Sequence, residues 1–227
     1  MVFYTNMNQI NDEISKLVTK TGTTILGINC KDGVILAADR RVTAGGQIVV
    51  QKNLRKAIQV NDYLIIAIAG NAADAKLLVR ILGAELKLKE LKTKARPTVK
   101  EAANLAAMMT YRNIRTPSMI PSIVGSLIAG FNEDGSAELY TIEPAGGVDK
   151  VEDYDANFGS GMTFVLGLLE RQFKKDLSVK EGITLATEAL KSSTQRDTAS
   201  GNGIDVFSIT KSGIKHEVSE EIIPQYK

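Results

Sequence analysis

Thr23 and Asp39 are the residues whose types and spacing could do chemistry. They lie at the outer ends of two alternating apolar runs within residues 21–41, which Lys31-Asp32-Gly33 joins. A short Gly-containing connection between such runs predicts a β-hairpin, and the far ends of its antiparallel strands meet. The hydroxyl of Thr23 is therefore placed beside a carboxylate, and the small Gly22 leaves the preceding peptide bond open to approach. A threonine in this setting is a candidate nucleophile, but a weak one that needs a base.

Length and composition indicate one large domain. The chain has 227 residues and 44% apolar content, enough for a sizeable core. With 28 basic and 26 acidic residues its net charge is only +2, so no bulk field attracts nucleic acid or an anionic membrane. No run reaches the roughly 18 apolar residues that cross a bilayer, and we expect a cytoplasmic protein.

The chain has one cysteine and one histidine. Cys30 cannot form an internal disulfide, and its apolar strand favours a buried, inert thiol. His216 alone argues against a histidine metal site and against a Ser-His triad. Metal chemistry and histidine-based nucleophile activation are therefore disfavoured.

Hairpins alternate with pairs of helices along the chain. The order is strands, two helices, strands, two helices, strands, and the last hairpin turns at Lys211-Ser212-Gly213. Hairpins segregated from helix pairs favour antiparallel sheets, so the pattern predicts an α+β fold. Two such sheets stacked face to face, with helix pairs outside, would bury every apolar face.

Local signals mark individual helices. From Asn71 the apolar period changes to 3.6, and Thr98-x-x-Glu101 and Ser178-x-x-Glu181 are capping boxes. Residues 1–22 carry one short amphipathic pattern, which is interpreted either as an appendage or as an ordinary N-terminal helix. The first long helix is predicted to place four side chains on one face: Leu77, Leu78, Ile81 and Leu82.

The chain resembles the proteasome β subunits, which are N-terminal nucleophile (Ntn) hydrolases, from Gly22 to about Val218. The resemblance is to the archaeal type and rests on seven motifs in order: Gly22-Thr23-Thr24, Gly27-Ile28, Ala37-Ala38-Asp39-Arg40-Arg41, Leu54-Arg55-Lys56, Ala67-Ile68-Ala69-Gly70, Gly159-Ser160-Gly161 and Arg196-Asp197-Thr198-Ala199-Ser200-Gly201. It implies a four-layer αββα sandwich. It also implies a leader over residues 1–22, cleavage between Gly22 and Thr23, and a single domain over 23–227.

The resemblance implies a threonine endopeptidase whose catalytic set is Thr23, Asp39, Lys56, Gly70, Ser160, Asp197 and Ser200. Cleavage would give Thr23 a free α-amine, whose reference pKa of roughly 7.7 to 8.0 suits a base at neutral pH. Lys56 paired with Asp39 would favour the neutral amine, and the Gly70 N–H would stabilise an oxyanion. No metal or organic cofactor is implied.

A one-residue insertion between Asp39 and Lys56 leaves Arg55 as the rival for the lysine position. Lys56 is preferred because its spacing to Gly70 agrees with the family and because arginine does not release a proton. Ile25 stands where many relatives carry a third threonine. Thr21 and Thr24 are rival N-terminal threonines, but only Thr23 follows a glycine at the matching distance from Asp39.

The resemblance also implies a substrate pocket and partners. The pocket would comprise Val42, Thr43, Leu54, Ile58, Ile68, Ala72 and Lys76. An apolar residue before the scissile bond is expected, of leucine size, with Lys76 at the rim tolerating an acidic one. The partners would be α subunits and other β subunits in four stacked seven-membered rings, a regulatory ATPase bound through the α rings, and unfolded polypeptide substrates.

Two other interpretations remain. The chain could be a structural β subunit that keeps its leader and never cuts. The Gly159-Ser160-Gly161 helix entry could instead belong to a phosphate-binding module.

Overall fold

The computed structural model describes residues 22–118 and 122–222. The predicted leader lies outside these ranges except for Gly22. The described strands are β1 Ile25–Cys30, β2 Gly33–Asp39, β3 Val42–Ala44, β4 Ile48–Gln51, β5 Ala57–Asn61, β6 Leu64–Gly70, β7 Val124–Phe131, β8 Ala137–Ile142, β9 Val148–Lys150, β10 Tyr154–Asp155, β11 Gly203–Thr210 and β12 Gly213–Glu221. The described helices are α1 Ala72–Thr93, α2 Val99–Arg115, α3 Met162–Gln172 and α4 Val179–Arg196.

Two five-stranded antiparallel sheets form the centre of the described chain. The first has the order β10-β1-β2-β11-β12 and the second the order β5-β6-β7-β8-β9, while β3 and β4 form a separate pair. In the first hairpin Cys30 pairs with Gly33, so the turn consists of Lys31 and Asp32 alone. The predicted three-residue connection is therefore one residue too long, since Gly33 is the first residue of β2. A Cβ at Gly33 would meet the carbonyl oxygen of Ile209, 2.5 Å away, on the neighbouring strand.

The period of two along each central strand divides its side chains between two cores. In β2, Leu36 contributes to the core between the sheets and Ile35 to the core beneath α3 and α4. In β6, Ile65 faces the core between the sheets and Ile66 faces α1 and α2. Helices, sheet, sheet and helices therefore lie in four layers, and the predicted αββα sandwich is confirmed.

The helices begin where the local signals place them. The side chains of Thr98 and Ser178 each accept the N–H three residues on, and both capping boxes are complete. The predicted apolar face of α1 is wrong in part: Leu78 and Leu82 are buried, but Leu77 and Ile81 are exposed. At 100° per residue, neighbours such as Leu77 and Leu78 cannot both face the sheet.

A membrane span is not found in the described ranges, where each helix is too short or too polar to cross a bilayer.

Candidate active site

The β1–β2 hairpin places Thr23 and Asp39 at one end of the first sheet. Ile25 pairs with Ala38, and the Asp39 N–H donates to the Thr24 carbonyl at 3.0 Å. Thr23 directly precedes β1, and Asp39 ends β2. The two residues are therefore neighbours, as the hairpin predicts.

The carboxylate of Asp39 is fully buried and heavily hydrogen-bonded. Oδ1 accepts the Thr24 N–H at 2.8 Å and lies 2.6 Å from Lys56 Nζ, and Oδ2 accepts the N–H groups of Arg41 and Gly201, each at 2.9 Å. A buried charge is tolerated only when it is paired and hydrogen-bonded in this way. Asp39 thus joins the loop after β2, the loop before β11 and the residue that follows Thr23.

Lys56, not Arg55, lies against Asp39. The Lys56 side chain is 3% exposed, whereas Arg55 is exposed to solvent. Burial lowers the pKa of Lys56, and the charge and hydrogen bond of Asp39 oppose that change. Lys56 consequently releases its proton at lower pH than a solvated lysine does.

The Thr23 hydroxyl lies on the peptide bond that precedes it. Its Oγ1 donates to the Gly22 carbonyl at 2.6 Å, and Lys56 Nζ donates to the same oxygen at 3.4 Å. Thr23 is buried. The Thr23 hydroxyl and the Lys56 ammonium therefore both contact the carbonyl of the Gly22–Thr23 peptide bond.

Gly22 is held on both sides. Its N–H donates to Thr43 Oγ1 at 3.1 Å in a buried hydrogen bond. A Cβ at Gly22 would lie 1.8 Å from the Cβ of Ala199, so only glycine fits without movement of the backbone. This packing fixes the peptide bond between Gly22 and Thr23.

A second cluster of polar side chains lies beside the Thr23 nitrogen. The Thr23 N–H donates to Ser160 Oγ at 3.2 Å, and the hydroxyls of Ser160 and Ser200 both donate to Asp197 Oδ2 at 2.5 Å. The Ala199 N–H donates to Oδ1 of the same carboxylate at 3.1 Å. Ser160, from the loop before α3, therefore meets Asp197 and Ser200, which directly follow α4.

An apolar recess opens beside Thr23. Gly70 at the end of β6 lies in its wall with φ +118°, and a Cβ there would meet the carbonyl oxygen of Ile123 at 2.1 Å. Both facts require glycine at this position. The lining comprises Gly22, Thr23, Val42, Leu54, Lys56, Ile68, Ala69, Gly70, Ala72 and Ala75.

Only part of the predicted substrate pocket meets in this recess. Four of the seven residues line it: Val42, Leu54, Ile68 and Ala72. Thr43 is buried beside Gly22, Ile58 packs into the core beneath α1 and α2, and Lys76 is exposed on α1. Ala69 and Ala75 line the recess without having been predicted.

Sequence reasoning also missed the hydroxyl of Ser193 and the side chain of Thr24, which contact each other at 2.5 Å. The two residues are 169 positions apart, and no spacing rule in one sequence connects them. Cys30 is half-buried rather than buried as expected, but desolvation still raises the pKa of its thiol to about 12, which disfavours the reactive thiolate.

Known proteins are similar to this chain over nearly its whole length. A family model described as proteasome subunit matches residues 19–209. The proteasome subunit beta of Nanoarchaeum equitans is 39% identical over 193 residues, which cover 85% of this chain and 95% of that protein. The proteasome subunit beta of Methanocaldococcus jannaschii is 40% identical over 202 residues, covering 88% and 87% of the two chains. With this extent of similarity, the αββα sandwich and the polar residues around Thr23, the chain belongs to the proteasome subunit family, among its β subunits.

Proposed function

We propose that this β subunit is a threonine endopeptidase, which removes its own leader after Gly22 and then cleaves unfolded polypeptides through Thr23. One observation carries the proposal: the Thr23 hydroxyl lies 2.6 Å from the Gly22 carbonyl oxygen, beside the buried Lys56–Asp39 pair. A nucleophile, a cation and a carbonyl in contact within a buried site are the parts that acyl transfer needs.

Leader removal begins with attack of Thr23 Oγ on the Gly22 carbonyl carbon. The C–N bond then breaks, the hydroxyl proton ends on the Thr23 nitrogen, and Gly22 becomes an ester of the Thr23 hydroxyl. Water hydrolyses the ester and releases the leader. Lys56 Nζ, 3.4 Å from the Gly22 oxygen, is placed to stabilise the negative charge that develops there.

Cleavage creates the base for peptide hydrolysis. The freed α-amine of Thr23 accepts the hydroxyl proton as Oγ attacks a substrate carbonyl, and water later releases the acyl group. The Lys56 ammonium beside it favours the neutral amine, which is the form that acts as a base. Ser160 orients the nitrogen, and the Gly70 N–H is the proposed oxyanion donor, since Gly70 lies in the same recess.

The β subunit is proposed to work inside an assembly with α subunits and other β subunits, as four stacked seven-membered rings served by an ATPase at the α rings. Its surface supports burial against neighbours, because the β3–β4 pair and α1 expose large apolar side chains. These are Ile48, Val49, Val50, Leu77, Ile81, Leu88 and Leu91. A cytoplasmic location follows from this role.

The intact mass of the β subunit in assembled particles tests the proposal. We expect the mass of residues 23–227, and N-terminal sequencing should begin at Thr23. Particles that retain Met1 and hydrolyse no peptide would instead support the structural, non-catalytic β subunit.

Substrate preference should follow the apolar lining of the recess. A leucine before the scissile bond loses contact with water there, at roughly 25 cal/mol per Å², so its kcat/KM should exceed that of alanine by about tenfold or more. Ile68 is stiff and β-branched, which favours leucine over phenylalanine. Fluorogenic peptides that differ only at this residue measure the ratios.

Arginine is the informative contrast, because its cation would enter a recess already lined by Lys56. Cleavage after arginine that is faster than cleavage after leucine would show that the recess does not bind the residue before the scissile bond. Lys76 is exposed and does not line the recess, so its position does not support the expected tolerance of an acidic side chain at the rim.

A further inference from the structure

Thr24 connects the two polar clusters of the site, one around Asp39 and the other around Asp197. Its backbone N–H donates to Asp39 Oδ1 at 2.8 Å, on the side of Lys56. Its side-chain Oγ1 lies 2.5 Å from Ser193 Oγ and 2.7 Å from Ser200 Oγ, on the side of Asp197. Thr24, Ser193 and Ser200 are completely buried, so these three hydroxyls can satisfy one another only in this arrangement.

Counting hydrogens gives the three hydroxyls a direction. The carboxylate of Asp197 can only accept, so the single hydroxyl hydrogen of Ser200 is used on Oδ2 at 2.5 Å. Thr24 must therefore donate to Ser200, which uses the only hydroxyl hydrogen of Thr24. Ser193 must then donate to Thr24. The chain of donation runs from Ser193 through Thr24 and Ser200 to Asp197.

The hydroxyls of Thr24 and Ser193 are tightly packed. A Cβ at Gly161 would lie 1.8 Å from Thr24 Oγ1 and 2.2 Å from Ser193 Oγ, so the entry of α3 closes directly over both groups. The carbonyl of Ser193 also accepts the Asp197 N–H at 2.8 Å, which fixes the end of α4. The entry of α3 and the end of α4 therefore enclose both hydroxyls.

We propose that Thr24 and Ser193 are positioning residues, whose one-way donation holds Ser200 on Asp197 and thereby holds Ser160 against the Thr23 nitrogen. The inference rests on the proposed function, in which that nitrogen becomes the base. Hydrogen bonds in such a chain strengthen one another. Loss of the Thr24 hydroxyl weakens the bond from Ser200 to Asp197 and leaves more of the carboxylate's charge directed through Ser160 at the amine.

That redistribution has a sign. The charged groups that act on Lys56, beside the amine, are Asp39 at the end of β2, Arg41 before β3 and Asp197 after α4. Only the charge of Asp197 is affected by the hydroxyl chain, and a more strongly directed negative charge favours the protonated amine. The acid limb of the kcat profile should therefore move to higher pH.

Thr24→Ala and Thr24→Ser form the matched test, because they differ only in the hydroxyl. In processed particles, Thr24→Ala should lower kcat about fivefold to tenfold, with little change in KM, and shift the acid limb upward by about 0.3 pH units or more. Thr24→Ser should restore both values. Ser193→Ala should shift the limb in the same direction by a smaller amount, because Thr24 still donates to Ser200.

Ser192→Ala, one position earlier on α4, is the control that should change neither value. A structure of the Thr24→Ala particle adds a readout that does not need activity: the Ser200 side chain should turn away from Asp197. If the acid limb of Thr24→Ala is unchanged and Ser200 still donates to Asp197, the inference is overturned. If Thr24→Ala does not assemble, the same result for Ser193→Ala overturns it. Wild-type particles that cleave no peptide would refute the proposed function instead, and the Ser200 side chain would still decide the inference.

Discussion

Replacing Thr23 with alanine should leave the leader attached and reduce peptide hydrolysis to background, a loss of about 10³-fold or more. The reason is that one hydroxyl serves both reactions: it lies 2.6 Å from the Gly22 carbonyl oxygen before cleavage and is the proposed nucleophile afterwards. Mass spectrometry of the subunit and fluorogenic peptide turnover measure the two effects on the same preparation. Particles whose only β subunit is this chain give the clearest result.

Thr21→Ala is the matched control, since Thr21 is a nearby threonine with a hydroxyl of the same kind. It should leave the cleavage position and turnover unchanged. Thr23→Ser keeps a hydroxyl and should retain part of both activities. Normal turnover by Thr23→Ala particles would remove Thr23 from the mechanism.

Lys56→Ala should abolish most activity, by about 10²-fold to 10⁴-fold, whereas Arg55→Ala should stay within about twofold of wild type. Lys56 Nζ lies 2.6 Å from Asp39 Oδ1 and 3.4 Å from the Gly22 oxygen, while Arg55 is exposed. Lys56→Arg should not restore activity, because the larger, planar guanidinium does not fit the buried space that the ammonium occupies beside Asp39. Leader removal and peptide turnover are both measured.

The Lys56 variants need a stability control, because removing one partner of a buried ion pair costs about 3–5 kcal/mol. Three backbone N–H groups still bind Asp39, from Thr24, Arg41 and Gly201, so we expect the fold to persist. Thermal unfolding and particle assembly should therefore be recorded beside activity. Loss of activity in Arg55→Ala together with an active Lys56→Ala would contradict the placement of the lysine.

Local rules in the sequence predicted the elements that carry the site. A tight turn at Lys31-Asp32 needs only the neighbouring residues, and it suffices to bring Thr23 to Asp39. Capping boxes likewise act within one turn, which is why Thr98 and Ser178 mark helix starts correctly. Ordered motifs along the chain then made the family resemblance specific.

Tertiary structure alone decided which side chains face inward and what they meet. Arg55 and Lys56 are adjacent in a segment without a regular period, and only the fit of that segment against β6 and Asp39 buries the second of them. Leu77 and Leu78 have equal hydrophobicity, yet the sheet covers only Leu78.

Contacts between distant segments are the other part that the sequence did not determine. Thr24 and Ser193 meet because two sheets and two helix pairs stack, not because of any local spacing. By itself the sequence determined the hairpin, the helix starts, the α+β class and the candidate nucleophile, since each depends on residues near in the chain. The resemblance implied Lys56 beside Asp39, and the packed fold supplied the contact between them. Only the packed fold determined the full lining of the recess and the hydroxyl chain to Asp197, since each depends on the burial of residues far apart in the sequence.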